Sequence, residues 1–257
     1  MIQGDTAQML AGLPIKVPDC NFAVTQPTIK DIIAFGEDKF LNALQLFINT
    51  DFFVKPIKEG NSQLSMLSDF HIFMIILNED MTTRHIIEDL FSLIFPTYII
   101  KIEQGIINFQ LDEESGIIGQ LNPMNFDAFG TLLDSLFLPR TSSKDEPDFN
   151  PVNDKAAEIA EKLKKGRRDR AALANDGKKA SSMTSIFSNY ISVLSVGLPI
   201  DINILYGYTP YQLYNIFIRY IAKTAYDFYQ KVATTPLMDV SKMDEPDNWM
   251  DDKIYQL

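Results

Sequence analysis

The sequence holds one cysteine, Cys20, and two histidines, His71 and His85, in 257 residues. A lone thiol closes no intrachain disulfide, and it supplies neither a Cys-x-x-Cys redox pair nor a thiolate cage for zinc. A reducing compartment is the expected setting. The histidines stand fourteen positions apart, outside any HExxH pattern, and each falls in an apolar helical stretch. His85 follows Arg84 near a helix start and reads as a surface or core-edge residue, since an imidazole catalyses only beside a partnered nucleophile or acid. The 12 glycines form neither GxGxxG nor GxxxxGK, so no phosphate cradle of a known type is written here. These absences lead us to expect a protein that is not an enzyme and uses no cofactor or metal.

Positive charge is scarce as well. Against 34 acidic residues stand 23 Lys and Arg, a formal net charge of −11. A surface of that sign repels phosphate, so nucleic-acid binding is disfavoured except through a local patch. The acidic groups Asp112, Glu113 and Glu114, and Asp244, Glu245, Asp247, Asp251 and Asp252, lack the spacing of a calcium loop and read as solvated loops. Long apolar runs are missing too: the strongest, FHIFMIIL from Phe70 to Leu77, is far shorter than the roughly 20 residues that cross a bilayer. The first residues, MIQGDTAQMLAGLPIKVPDC, carry Asp5 and no signal-peptide core. A cytosolic protein without membrane association is the expectation.

What is abundant is apolar and aromatic surface. Hydrophobic residues make up 46% of the chain, with 18 Phe and 10 Tyr, which excludes a wholly disordered protein and suffices for a sizeable core. In TIKDIIAFGEDKFLNALQLFI, Thr28 followed by Asp31 is a helix-start signal, Phe40, Leu41, Leu44, Phe47 and Ile48 recur at helical spacing, and Gly36 divides the stretch into two helices. A polar interval, Lys58 to Ser65, leads to a short buried helix in SDFHIFMIIL. A second follows in TTRHIIEDLFSLIFP, capped by Thr82 or Thr83, with Ile86, Ile87, Leu90, Phe91 and Ile94 in one stripe ended by Pro96. TYIIKIEQGIINFQ alternates about Gln104-Gly105 and reads as a β-hairpin, with a third strand in Gly116 to Leu121. A helix then starts near Asn125 and carries Phe126, Phe129, Leu132, Leu133 and Leu136 inward.

Beyond Arg140 the chain turns polar, and we expect three regions in an α+β protein: a globular domain over 1–140, with a small antiparallel sheet covered by helices, a charged linker with a basic helix over 141–182, and an all-helical C-terminal region over 183–257. In the linker, Lys162, Lys164, Lys165, Arg167, Arg168 and Arg170 crowd together without interleaved aromatics for base stacking. This run reads as a solvated helical spacer, as a contact for an acidic protein partner, or, third, as a phosphate-backbone contact. In the last third, Ile186, Tyr190, Ile191 and Leu194 predict one helix stripe. Thr209, Pro210 and Gln212 form a strong helix start. Leu213, Phe217, Tyr220, Ile221, Thr224 and Phe228 follow along one side, of which Leu213, Phe217 and Phe228 are expected in the core. The tyrosines crowding this region are split between core and contact surface, because Tyr joins apolar area to a polar tip.

Three stretches, NDKAAEIAEKLKKGRRDRAAL, SIFSNYISVLSVGLPIDINILYGYTPYQLYNIFIRY and DEPDNWMDD, together resemble the C-terminal region of a family encoded among tail-morphogenesis genes of tailed bacteriophages and prophages, the tail assembly chaperones. The resemblance covers roughly Asn153 to Asp252. It implies a non-enzymatic assembly protein of the host cell cytoplasm that shields the tape-measure protein and helps recruit tail tube subunits; a homo-oligomer is compatible with it. The candidate partner-binding residues are Tyr211, Tyr214, Phe217, Tyr220, Tyr226 and Trp249, joined by Lys164, Arg167 and Arg168. The rival expectation is a minor structural tail or baseplate component retained in the virion.

Overall fold

A computed structural model describes residues 5–60, 64–103, 105–114, 116–138 and 185–235, with Pro246, Trp249 and Met250. The basic run with Lys164, Arg167 and Arg168, and the whole of the expected linker, lie outside the described residues. The protein is α+β: among the described residues, ten helices accompany one two-stranded and one three-stranded antiparallel sheet. Its chain falls into two compact units, one made of Met1–Pro139 with Leu194–Ile218, the other of Arg140–Val193 with Arg219–Leu257. The expected boundary at 183 groups these residues differently, since Leu194–Ile218 packs with the N-terminal unit.

The first unit begins with α1 (Asp5–Leu10) and the ribbon β1 (Ile15–Lys16) and β2 (Ala23–Val24), which pairs Ile15 with Val24. The next helices are α2 (Ile29–Phe35), α3 (Glu37–Ile48), α4 (Thr50–Gly60), α5 (Asp69–Glu79) and α6 (Met81–Ile94). Thr28 caps α2 as expected: its hydroxyl accepts from the Asp31 amide at 3.2 Å, and the Asp31 carboxylate accepts from the Thr28 amide at 3.0 Å. Gly36, at φ +104°, separates α2 from α3, in a backbone conformation that side-chain-bearing residues rarely adopt. Helix α4, which the sequence reading left unassigned, contains Pro56 and ends in the polar interval; the proline ring forgoes one backbone donor inside the helix. The cap of α6 is corrected. Asp80, not Thr82 or Thr83, accepts from the Thr82 amide at 2.9 Å and the Thr83 hydroxyl at 2.6 Å, a carboxylate being the stronger acceptor. These hydrogen bonds, the Thr83 hydroxyl first, hold the Asp80 carboxyl below its ordinary range.

The hairpin forms as expected from β3 (Ile99–Glu103) and β4 (Ile106–Gln110), with Gly105 at φ +84° in the turn. The third strand, β5 (Gly119–Leu121), is shorter than the sequence suggested and pairs Leu121 with Ile107. Ile107, Phe109 and Leu121 are buried on the core side. On the open side of the hairpin, Arg84 bonds Glu88 at 2.9 Å and also donates to the Ile102 carbonyl at 3.4 Å. Helix α7 (Phe126–Phe137) packs on α3, and its Phe126, Phe129, Leu133 and Leu136 are buried as expected.

Three helices complete the described chain: α8 (Ile186–Gly197), α9 (Ile202–Tyr206) and α10 (Pro210–Ala233). The start of α10 is the reciprocal cap that its sequence predicted. The Gln212 amide donates to the Thr209 hydroxyl at 3.3 Å, and the Gln212 side chain accepts from the Thr209 amide at 2.9 Å. The same side chain donates to the Leu10 carbonyl at 2.8 Å, and Ile29 donates to the Tyr208 carbonyl at 2.8 Å, which ties the start of α10 to both α1 and α2. Thr209→Ala is expected to lower stability by about 1 kcal/mol, readable as a shift in the denaturation midpoint, because it removes a cap in a buried position.

Candidate partner-binding surface

The second unit contains the part of α10 from Arg219 onward. Along it, Ile221, Ala225, Phe228 and Val232 recur at intervals of four, three and four, which places them on one helix face. Much of this face is exposed. Ile221 is 48% and Phe228 60% exposed, Ala225 is exposed, and Val232 is half-buried. Tyr220, Tyr226 and Tyr229 are half-buried along the flanks. On a polar side, Lys223 and Asp227 pair at 2.6 Å, an exposed i,i+4 contact worth a few tenths of a kcal/mol at about this geometry. In the same unit, α8 presents Ile186 and Val193, seven residues apart and each more than two-fifths exposed.

Several sequence expectations are corrected here. Phe228 was expected in the core, but its ring lies largely in solvent, whereas Leu213 and Tyr214 are buried. A buried Tyr214 cannot serve a partner from inside the first unit. Tyr211 and Phe217 are half-buried and already engaged by other groups. In α8 the buried residues are Phe187, Ile191 and Leu194; Ile186 points outward and Tyr190 is half-buried, where burial raises its phenol above the ordinary range. Trp249 is half-buried, and its carbonyl accepts from Arg219 Nη1 at 2.7 Å. Of the predicted residues, Tyr220, Tyr226 and Trp249 therefore share the second unit with the exposed stripe.

The sequence stripe of Leu213, Phe217, Tyr220, Ile221, Thr224 and Phe228 shares only Ile221 and Phe228 with this exposed face, and neither was named as a contact residue because spacing alone does not separate a core face from an exposed one. Among the described residues both histidines are exposed, no three His, Cys, Asp or Glu side chains gather to hold a metal, and no helix is long and apolar enough to cross a membrane.

The first unit carries a polar cluster that sequence reasoning did not anticipate. Asn125, at the start of α7, leaves that helix uncapped and instead donates to Cys20 Sγ at 3.0 Å and to the Gln120 carbonyl at 2.8 Å. Its Oδ1 accepts from the Asn122 amide at 2.9 Å. Gln120 Nε2 donates to Asn108 Oδ1 at 2.9 Å, and Asn108 Nδ2 to Glu103 Oε2 at 3.0 Å, so a file of amides crosses the sheet. Burial raises the Cys20 thiol above its ordinary range, outweighing the hydrogen bond from Asn125, and such a thiol is a poor nucleophile.

Compared with protein-family models, with curated proteins and with solved structures, the chain matches none.

Proposed function

We propose that this protein is a non-enzymatic tail assembly chaperone of a phage, which shields the tape-measure protein with apolar helix faces and helps recruit tail tube subunits in the host cell cytoplasm. The observation that carries the reading is the largely exposed stripe of Ile221, Ala225, Phe228 and Val232. An amphipathic helix face of this kind lies against an apolar groove or a second helix, its anchors spaced as these are. Each large side chain that moves out of water on binding contributes about 1.5–3 kcal/mol before the costs of association, so Ile221 and Phe228 are the expected anchors. The flanking tyrosines suit a rim that is part apolar and part hydrated. The net charge of −11 favours solubility while such a face waits for its partner. The tape-measure protein, a long helical chain, is named on the sequence resemblance.

Co-expression tests the proposal. The wild-type protein is expected to co-purify with the tape-measure protein and to raise its solubility. Ile221→Asp combined with Phe228→Asp is expected to abolish that association while shifting the protein's own stability by no more than about 0.5 kcal/mol per site, since both side chains are already exposed. No association, with tape-measure solubility unchanged, overturns the reading. Recovery of the protein from purified particles at fixed stoichiometry would assign it to the virion instead.

A further inference from the structure

We propose that the cleft between the Val17–Phe22 loop, β5 and the turn before α7 binds a neutral, hydroxyl-rich ligand of the saccharide class. The cleft lies wholly within the first unit and is an open concavity of about 410 Å³, room for one or two sugar rings. Its floor is fixed: Asn125 is 8% exposed, and its amide is committed to Cys20, the Gln120 carbonyl and the Asn122 amide.

Around that floor, the lining side chains of Gln120 and Asn122 use only part of their hydrogen-bonding capacity within the protein. Gln120 commits its Nε2 to Asn108, which leaves Oε1 to accept from a ligand. Asn122 commits its Oδ1 to the Met124 amide at 2.8 Å, which leaves Nδ2 to donate. Asp19 and Asn21 are exposed at the rim, the first an acceptor, the second both donor and acceptor. Asp19 stands at φ +56°, a left-handed conformation costing a residue with a side chain roughly 1 kcal/mol, and such costs gather at binding sites.

Alternating donors and acceptors match hydroxyl groups, which do both. Among the described residues, no Lys or Arg lines the cleft to hold an anion, and one carboxylate is a weak match for a cation. Ile117, 50% exposed, offers the apolar edge that the C–H face of a sugar ring needs.

Saturation-transfer NMR on the full chain, with glucose, galactose, mannose, maltose and lactose as probes, tests this. At least one is expected to bind with a dissociation constant on the order of millimolar, as suits a few hydrogen bonds in an open site. A disaccharide that binds more tightly than its monosaccharides indicates the end of a glycan chain; equal affinities indicate a free sugar. Asn122→Asp keeps the acceptor for Met124 and loses the donor, while Asp19→Asn suits the left-handed backbone and alters the acceptor. Each is expected to weaken binding about tenfold without unfolding the protein. No signal from any of these sugars at about 50 mM, or a signal that both substitutions leave unchanged, overturns the proposal.

Discussion

Phe47→Ala is expected to lower the unfolding free energy by about 3–5 kcal/mol. Phe47 is 2% exposed on α3, and its ring meets four others: Phe73 at 5.0 Å, Phe129 at 5.3 Å, Phe91 at 5.8 Å and Phe126 at 5.9 Å between centroids. Those rings come from α5, α6 and α7, so this one side chain is where four helices converge. Truncation removes the transfer free energy of the ring and leaves a void that four separately anchored rings cannot close together. A domain of ordinary stability has about 5–15 kcal/mol to lose, so roughly a fifth or more of it is at stake. Urea unfolding followed by circular dichroism reads the result as a lower midpoint at unchanged slope. A loss under about 1 kcal/mol would show that the cluster is not the centre of the core.

The second large effect falls on Gly130, in the middle of α7. A Cβ built there would lie 2.3 Å from the Phe47 carbonyl oxygen and 3.2 Å from its carbonyl carbon. Alanine in place of a helical glycine ordinarily adds about 0.5–1 kcal/mol of stability. Here the sign is expected to reverse, with a net loss of roughly 1–3 kcal/mol for Gly130→Ala and more for Gly130→Val, because the obstacle is backbone of the packed helix α3 and cannot swing aside. Gly60 is the control: nothing lies within 4 Å of a Cβ at that position, and Gly60→Ala is expected to be neutral or mildly stabilising. Thermal denaturation of the two alanine variants, run side by side, separates close helix contact from helix propensity. A Gly130→Ala variant as stable as wild type would mean that α3 and α7 can part at little cost.

The features that the sequence made legible are those whose partners lie a few residues away. Thr28 with Asp31 and Thr209 with Gln212 are three apart, and both form the reciprocal caps that their spacing announced. The hairpin was legible for the same reason, since alternation and a turn glycine specify it locally. The cap of α6 shows the limit of such reading: Asp80, Thr82 and Thr83 are all competent acceptors, and which one the chain uses depends on where its last turn closes. Contacts made across the fold left no such trace. Asn125 and Cys20 are separated by 105 positions, and Gly130 differs from any other helical glycine only because Phe47 approaches it. Phe228 is the clearest case of the candidate surface. Its spacing is that of a core residue, yet its ring is 60% exposed, and spacing alone does not tell a packed face from an exposed one.

Arg84 has a bearing on the protein's behaviour when crowded. Strand β3 is one of the two outer strands of its sheet, and a flat outer strand is ordinarily a seed for runaway strand-to-strand growth between molecules. By occupying the Ile102 carbonyl, the guanidinium plugs one of the few sockets through which a foreign strand could zip on, and any newcomer must first evict a positive charge already held by Glu88. That single side chain, reaching over from the neighbouring helix, takes one acceptor off the open edge and sets a charge beside it, which raises the cost of strand addition there.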